Sequence, residues 1–149
     1  MVNATVEAFG RLDILVNNVG LQINKNVVDT SEEEWDYVLS TNLKSIFLCS
    51  KFAIPHLRAS SGNILCISSL SGLVGNAQQA SYNASKHGAI GLARCMAVDH
   101  AADNIRVNAL TPVASDTPLF RDFLGDQAER AKAEIEAAIP LGRLGSPAD

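Results

Sequence analysis

Apolar residues recur along this chain in two alternating patterns: short continuous runs, and longer stretches at helical spacing. Ile14, Leu15 and Val16 form the first run and predict a buried strand over residues 13–17, of the kind found in parallel sheets covered on both faces. A polar loop over residues 21–30 follows. Trp35, Val38, Leu39, Asn42, Leu43, Ile46 and Phe47 then return every three or four positions, which predicts a helix from residue 31 to about residue 57, with Pro55 near its end. Its start carries a chemical signal. Thr30 and Ser31 are N-cap candidates, Glu33 and Glu34 stand three residues after each, and Glu32 to Glu34 suit the positive end of a helix dipole.

A second apolar run, between Gly62 and Ser68, predicts another strand. Residues 79–100 predict a second long helix, in which Arg94 is the only polar residue between Gly88 and Val98. A helix apolar all round is buried on more than one side. One side is expected to cover the sheet and the other to meet a second subunit, with Ala84, Gly88 and Gly91 allowing close approach. Residues 104–110 predict a third strand, and residues 1–9 read as a helix stopped by Gly10. Strands alternating with helices indicate an α/β fold built on a parallel sheet.

Composition narrows the function classes. At 149 residues the chain has the length of one domain, and its net charge of −4 provides no basic patch for nucleic acid. No apolar run approaches the ~20 residues of a membrane span. Residues 1–8 lack the basic-then-apolar pattern of a signal peptide. Cys49, Cys66 and Cys95 lie far apart in apolar settings and read as buried free thiols of a cytoplasmic protein. His87 is expected at a surface or interface, and His56 and His100 at helix ends, so no metal site is expected.

The candidate chemistry lies between the second strand and the second long helix. Tyr82 and Lys86 are four apart on one helix face, and Ser69 stands thirteen residues before Tyr82, just past the strand's carboxyl end. Open α/β sheets bind their ligands at that end. A phenol with a pKa near ~10 is a poor base at neutral pH, and a nearby ammonium can lower such a pKa by roughly 1–3 units. A serine hydroxyl, both donor and acceptor, can hold an alcohol or carbonyl oxygen beside the phenol. The three together can move a proton on or off that oxygen while a hydride leaves or arrives at carbon. The competing reading is an ordinary amphipathic helix with a surface Tyr and Lys.

With these residues in place the sequence resembles the short-chain dehydrogenase/reductase family. Residues 13–20, ending Asn17, Asn18, Val19 and Gly20, are similar to the family's Asn-Asn-Ala-Gly strand. Thr41, Asn42 and Leu43 resemble the helix segment that carries its fourth catalytic residue. Residues 108–112 and 116–118 resemble its loop over the nicotinamide, with Val113 where the family usually has glycine. Residues 140–147 resemble the segment leading to its last strand.

The resemblance implies a Rossmann-like doubly wound parallel sheet in three α/β/α layers, with residues 1–149 forming a single partial NAD(P)-binding domain truncated at both ends. It implies catalytic roles for Asn42, Ser69, Tyr82 and Lys86, with Asn42 binding a relay water that links Lys86 to solvent. It assigns cofactor contacts to Asn17, Gly20, Tyr82, Lys86, Pro112, Ser115 and Thr117, with NAD or NADP as cofactor. For Asn17 and Asn18 the alternative is that they tie neighbouring strands together, and for Asn42 that its amide satisfies a local kink. Residues 118–124 and 127–139 would form a flap over a small alcohol or ketone substrate. The family's oligomers imply a homodimer or homotetramer through helices 31–57 and 79–100.

A complete dinucleotide fold opens with a strand, a Gly-rich turn and a helix, and nothing before Asp13 matches that pattern. The expectation is therefore an internal piece of a family member. Two functions follow: an oxidoreductase interconverting alcohol and carbonyl, or a catalytically inactive fragment that docks through its two long helices.

Overall fold

Leu15, Ile64 and Val107 stand side by side in register, and so do Asn17, Cys66 and Ala109. These rows belong to three parallel strands, β1 (Ile14–Asn17), β2 (Asn63–Ile67) and β3 (Arg106–Leu110), in the order β1-β2-β3. The computed structural model describes residues 1–117, 120, 128–146 and 148. It divides into two units, Met1–Thr111 and Pro112–Asp149.

In the first unit the sheet is preceded by α1 (Val2–Phe9), which Gly10 ends in the left-handed region at φ 76, as a C-terminal stop requires. Between β1 and β2 lie α2 (Glu32–Leu39) and α3 (Ser45–Ser60), and between β2 and β3 lies α4 (Ala80–Asp99). The N-terminal signal of α2 resolves onto one pair. Ser31 Oγ accepts from the Glu34 N–H at 3.2 Å, and Glu34 Oε2 accepts from the Ser31 N–H at 3.0 Å. Thr30 instead donates to the Asn26 carbonyl.

The predicted single helix over residues 31–57 is interrupted. Residues Ser40–Lys44 form a π-turn, with the Ser45 N–H bonding to the Ser40 carbonyl, and α3 then runs to Ser60. The cause is tertiary. Asn42 turns inward and its amide pairs with both backbone groups of Leu21, a contact that accompanies the widened turn.

Ile46, Ala53 and Leu57 of α3 and Ala89, Ala93 and Met96 of α4 pack on Leu15, Ile64, Cys66 and Val107 in one core. Because side chains alternate along a strand, Ile14, Val16, Leu65, Ile67 and Leu110 point to the other face. Within this unit no helix covers them, and Ile14, Val16 and Leu110 are each more than half exposed. The α/β arrangement is the one expected, but the unit holds two of the three expected layers.

Two further expectations need correction. Cys95 is exposed and Cys49 half-buried, leaving Cys66 as the buried thiol, because α4 turns Cys95 outward. Gly88 does not free a surface for a second subunit: a Cβ there would lie 2.7 Å from Leu43 Cδ2 of the same chain. Gly91, by contrast, faces open space.

In the second unit, Ser115 pairs in parallel with Gly145, and the Asp116 N–H bonds to the Gly145 carbonyl. Within the segment expected as a flap, residues 127–139, lies the helix α5 (Ala128–Ala138). Its Glu136 carboxylate accepts from the Leu144 N–H, and its Lys132 reaches Asp116. Apart from Phe120, the expected flap segment 118–124 lies outside the described residues.

Two glycines separate packing from backbone entropy. A Cβ at Gly62 would stand 2.5 Å from the Asp13 carbonyl oxygen and 2.6 Å from Leu57 Cδ2. Gly62→Ala should therefore destabilise the chain by roughly 1–3 kcal/mol. Gly91→Ala, mid-helix with no neighbour, should stabilise it by about 0.5–1 kcal/mol. Denaturant unfolding of both variants checks the opposite signs.

Candidate active site

β2 ends at Ile67, and the chain leaves the sheet through a serine pair whose members do different work. Ser68 is buried; its N–H bonds to the Leu110 carbonyl and its hydroxyl donates to the Lys86 carbonyl at 2.8 Å. Ser69 is extended and caps a short 3-10 turn, Leu70–Gly72, with its Oγ accepting from the Ser71 N–H at 3.1 Å. Gly72 lets this turn lie against α4. A Cβ there would stand 2.4 Å from Ser68 Oγ and 2.8 Å from the Lys86 carbonyl oxygen. The close approach brings the Ser69 hydroxyl near enough to the Tyr82 phenol to favour its ionised form.

Lys86 sits one helical turn beyond Tyr82 and is buried. Its Nζ donates to the Ile67 carbonyl at 2.9 Å and lies 5.6 Å from the centroid of the Tyr82 ring. The ammonium thus bridges the end of β2 and the face of the aromatic ring.

The electrostatics run against the expectation that Lys86 lowers the Tyr82 pKa. Burial pushes the Tyr82 phenol above its ordinary value, and the Ser69 hydrogen bond opposes that rise. Burial also pulls the Lys86 ammonium below its ordinary value. The physical reason is that removal from water disfavours both charged forms. The described contacts of Nζ go to a carbonyl and a ring face, not to the phenol oxygen.

Gly20, past the end of β1, completes the cluster on its open side. A Cβ there would be 3.3 Å from Lys86 Nζ and 3.5 Å from Asn42 Oδ1, so a side chain would fill space that the glycine leaves beside the ammonium. Asn42 is buried with its amide fully engaged. Oδ1 accepts from the Leu21 N–H at 2.8 Å, and Nδ2 donates to the Leu21 carbonyl at 2.8 Å and to Ser85 Oγ at 3.0 Å. Ser85 in turn donates to the Tyr82 carbonyl at 2.7 Å. The Asn17 amide points into the core, toward Cys66 Sγ on the neighbouring strand, the strand-tying contact weighed from the sequence, and toward Ser50 Oγ of α3.

Gly20, Asn42, Ser69, Tyr82 and Lys86 are therefore brought together in the first unit. Pro112, Ser115 and Thr117 belong to the second unit. There Ser115 Oγ donates to the Val113 carbonyl, Thr117 Oγ1 accepts from the Phe120 N–H, and Val113 does not take a positive φ. Sequence reasoning missed Ser68, Ser71 and Ser85. Ser81 and Ser85, four apart and both buried on α4, were the available signal that Asn42 has a partner across the helix pair. A cavity of about 260 Å³ opens between Val27, Thr30, Trp35 and Ala80, and none of the cluster residues lines it.

The family model described as enoyl-(acyl carrier protein) reductase matches residues 1–149. A 3-oxoacyl-[acyl-carrier-protein] reductase FabG of Thermotoga maritima is 38% identical over 148 residues, covering 99% of this chain and 58% of the relative. The ligand-free aldohexose dehydrogenase of Thermoplasma acidophilum superposes with a TM-score of 0.93 at 31% identity, covering 98% of this chain and 60% of that one. ElxO with NADP bound superposes with a TM-score of 0.88 at 33% identity, covering 97% and 59%. The chain thus spans somewhat under two thirds of the length of these relatives.

The raised phenol sets a pH dependence. Between the phenol's ordinary pKa and its raised folded value the folded state holds a proton that the unfolded state has lost, so stability falls as pH rises through that window. Tyr82→Phe removes this contribution. The stability difference between wild type and Tyr82→Phe should be flat near neutrality and shift against the wild type above about pH 10, as read by denaturant unfolding across that range.

Proposed function

Because the chain belongs to the short-chain dehydrogenase/reductase family, we propose that it carries the proton-transfer site of a nicotinamide-dependent oxidoreductase interconverting an alcohol and a carbonyl. The observation that carries the reading is the Lys86 ammonium 5.6 Å from the Tyr82 ring centroid with the Ser69 hydroxyl near the same phenol. A substrate oxygen seated between the two hydroxyls accepts a bond from Ser69 and the proton from Tyr82 as a carbonyl becomes an alcohol. In the reverse direction the phenol oxygen takes that proton back.

The raised pKa keeps the phenol protonated at neutral pH, ready to donate. The phenolate left after donation is stabilised by the Ser69 donor and by the ammonium at the ring face. Lys86 spends one N–H on Ile67 and keeps two for other acceptors. Asn42 is assigned to the water that returns a proton toward Lys86. Its side chain is engaged by Leu21 and Ser85, so this part falls to its main chain in the π-turn.

The space left by Gly20 beside Lys86 fits the close approach of a nicotinamide and its ribose to the backbone. Gly20, Tyr82, Lys86 and the strand end at Asn17 would hold the group, and Pro112, Ser115 and Thr117 are assigned to the same role on the sequence resemblance. When bound, NAD or NADP supplies or accepts the hydride. A small-molecule alcohol or ketone is the substrate class, and the free cysteines suit a cytoplasmic setting. Assembly into a homodimer or homotetramer through α2–α3 and α4 fits the exposed Phe47 and Phe52 on α3 and the exposed Val98 on α4.

Titrating the chain with NADH and NADPH, followed by turnover on a panel of ketones, aldehydes and alcohols, tests the reading. Tyr82→Phe should lower kcat by roughly 10²–10⁴ while cofactor affinity changes little. Absence of both binding and turnover, or full activity in Tyr82→Phe, overturns it. The assembly has its own check. Phe47→Glu with Phe52→Glu should shift the sedimentation coefficient to that of a single chain, with circular dichroism unchanged.

A further inference from the structure

We infer that Asn83 is a positioning residue: acting through Ser71, it fixes the orientation of the Ser69 hydroxyl beside the Tyr82 phenol. Asn83 follows Tyr82 directly on α4, and its Nδ2 crosses to the Ser69 turn. There it donates to the Ser71 carbonyl at 3.0 Å and to the Val74 carbonyl at 2.6 Å. Both partners are acceptors, so the amide cannot be turned over: the nitrogen must face them. Asn83 Oδ1 then points away, buried and without a hydrogen-bond partner. An unpartnered buried carbonyl is costly, and it is tolerated when the opposite end of the same amide is needed where it is.

Ser71 is the residue so clamped. Its hydroxyl donates to Gln79 Oε1 at 3.0 Å and accepts from Asn76 Nδ2 at 3.0 Å. Its N–H donates to Ser69 Oγ at 3.1 Å. That bond occupies one lone pair of Ser69 and leaves the Ser69 hydrogen free to point to Tyr82. Asn76, Gln79 and Asn83 therefore fix one backbone N–H, which in turn orients the hydroxyl. The coupling runs from α4 to the turn and back to the neighbouring residue of α4. Lys86 is the charged group facing the Tyr82 ring from the described residues of this unit, and it takes no part in the clamp.

The catalytic meaning of this clamp rests on the proposed function, but its test needs neither cofactor nor turnover. The chain has two tyrosines, so Tyr37→Phe leaves Tyr82 as the sole phenol. With fluorotyrosine incorporated, whose ionisation falls nearer neutrality, fluorine NMR follows the Tyr82 midpoint in the folded chain. Ser69→Ala should raise that midpoint by roughly half a unit to one unit, the worth of one lost donor to the phenolate. Asn83→Leu, similar in size and without donors, should raise it in the same direction. The double variant should rise no further than Ser69→Ala alone.

A purely structural role gives the opposite sign, because a loosened site readmits water and moves a buried phenol down toward its ordinary value. An unchanged or lowered midpoint in Asn83→Leu, or additive shifts in the double variant, overturns the inference. If Asn83→Leu does not fold, Ser71→Ala, which removes the Asn76 and Gln79 anchors, decides by the same criterion. A coupled midpoint in a chain that neither binds nor turns over nicotinamide would sink the proposed function and leave the clamp standing.

Discussion

A buried ammonium must be satisfied, and Lys86 constrains everything around the site. Its donor contact is the carbonyl of Ile67, the last residue of the central strand, and its side chain runs along the ring of Tyr82. That single bond ties the helix to the carboxyl end of the sheet. The Lys86 carbonyl is tied as well, since it accepts from Ser68. One residue thus binds the strand end through its side chain and the following residue through its backbone. Gly72 is needed because the turn beyond Ser69 then has no room for a side chain.

The sheet supplies the frame for this contact. β2 is paired on both edges, and Ile64 and Cys66 are fully buried under α3 and α4, so its carboxyl end is held from both edges and one face. Each fully buried Ile or Leu of this core is worth roughly 1.5–3 kcal/mol. The polar groups stand at the margin of that core, where burial perturbs their protonation without isolating them from partners. The Tyr82 phenol is held protonated by the same removal from water that brings the Lys86 ammonium down.

Much of this was legible in the residues. The helical period places Lys86 one turn from Tyr82 whatever the rest of the chain does, and the strand-to-turn junction places Ser69 before them. Asn42 was readable as a polar residue on an apolar stripe, but the widened turn around it was not, because its partner, Leu21, lies in a loop without periodicity. The direction of the Tyr82 shift was misread for a related reason: the spacing reveals an ammonium nearby, and only the packed structure reveals how much water both groups have lost. Gly88 was assigned to a neighbouring subunit because nothing in its own helix shows that Leu43 fills the space opposite. Cys95 was placed inside because the apolar run of α4 is continuous, although the helix turns that position outward.

The parallel register has a consequence for how the chain is made. Ile14 pairs with Asn63, and Asn63 pairs with Arg106, so each strand waits for a whole helix to be synthesised before its neighbour exists. Closing such distant pairs is entropically slow compared with forming α3 or α4 locally. During translation β2 is expected to dock on β1 first and to keep its second edge open until β3 leaves the ribosome. Over that interval the β2 backbone groups on that edge have no strand to pair with.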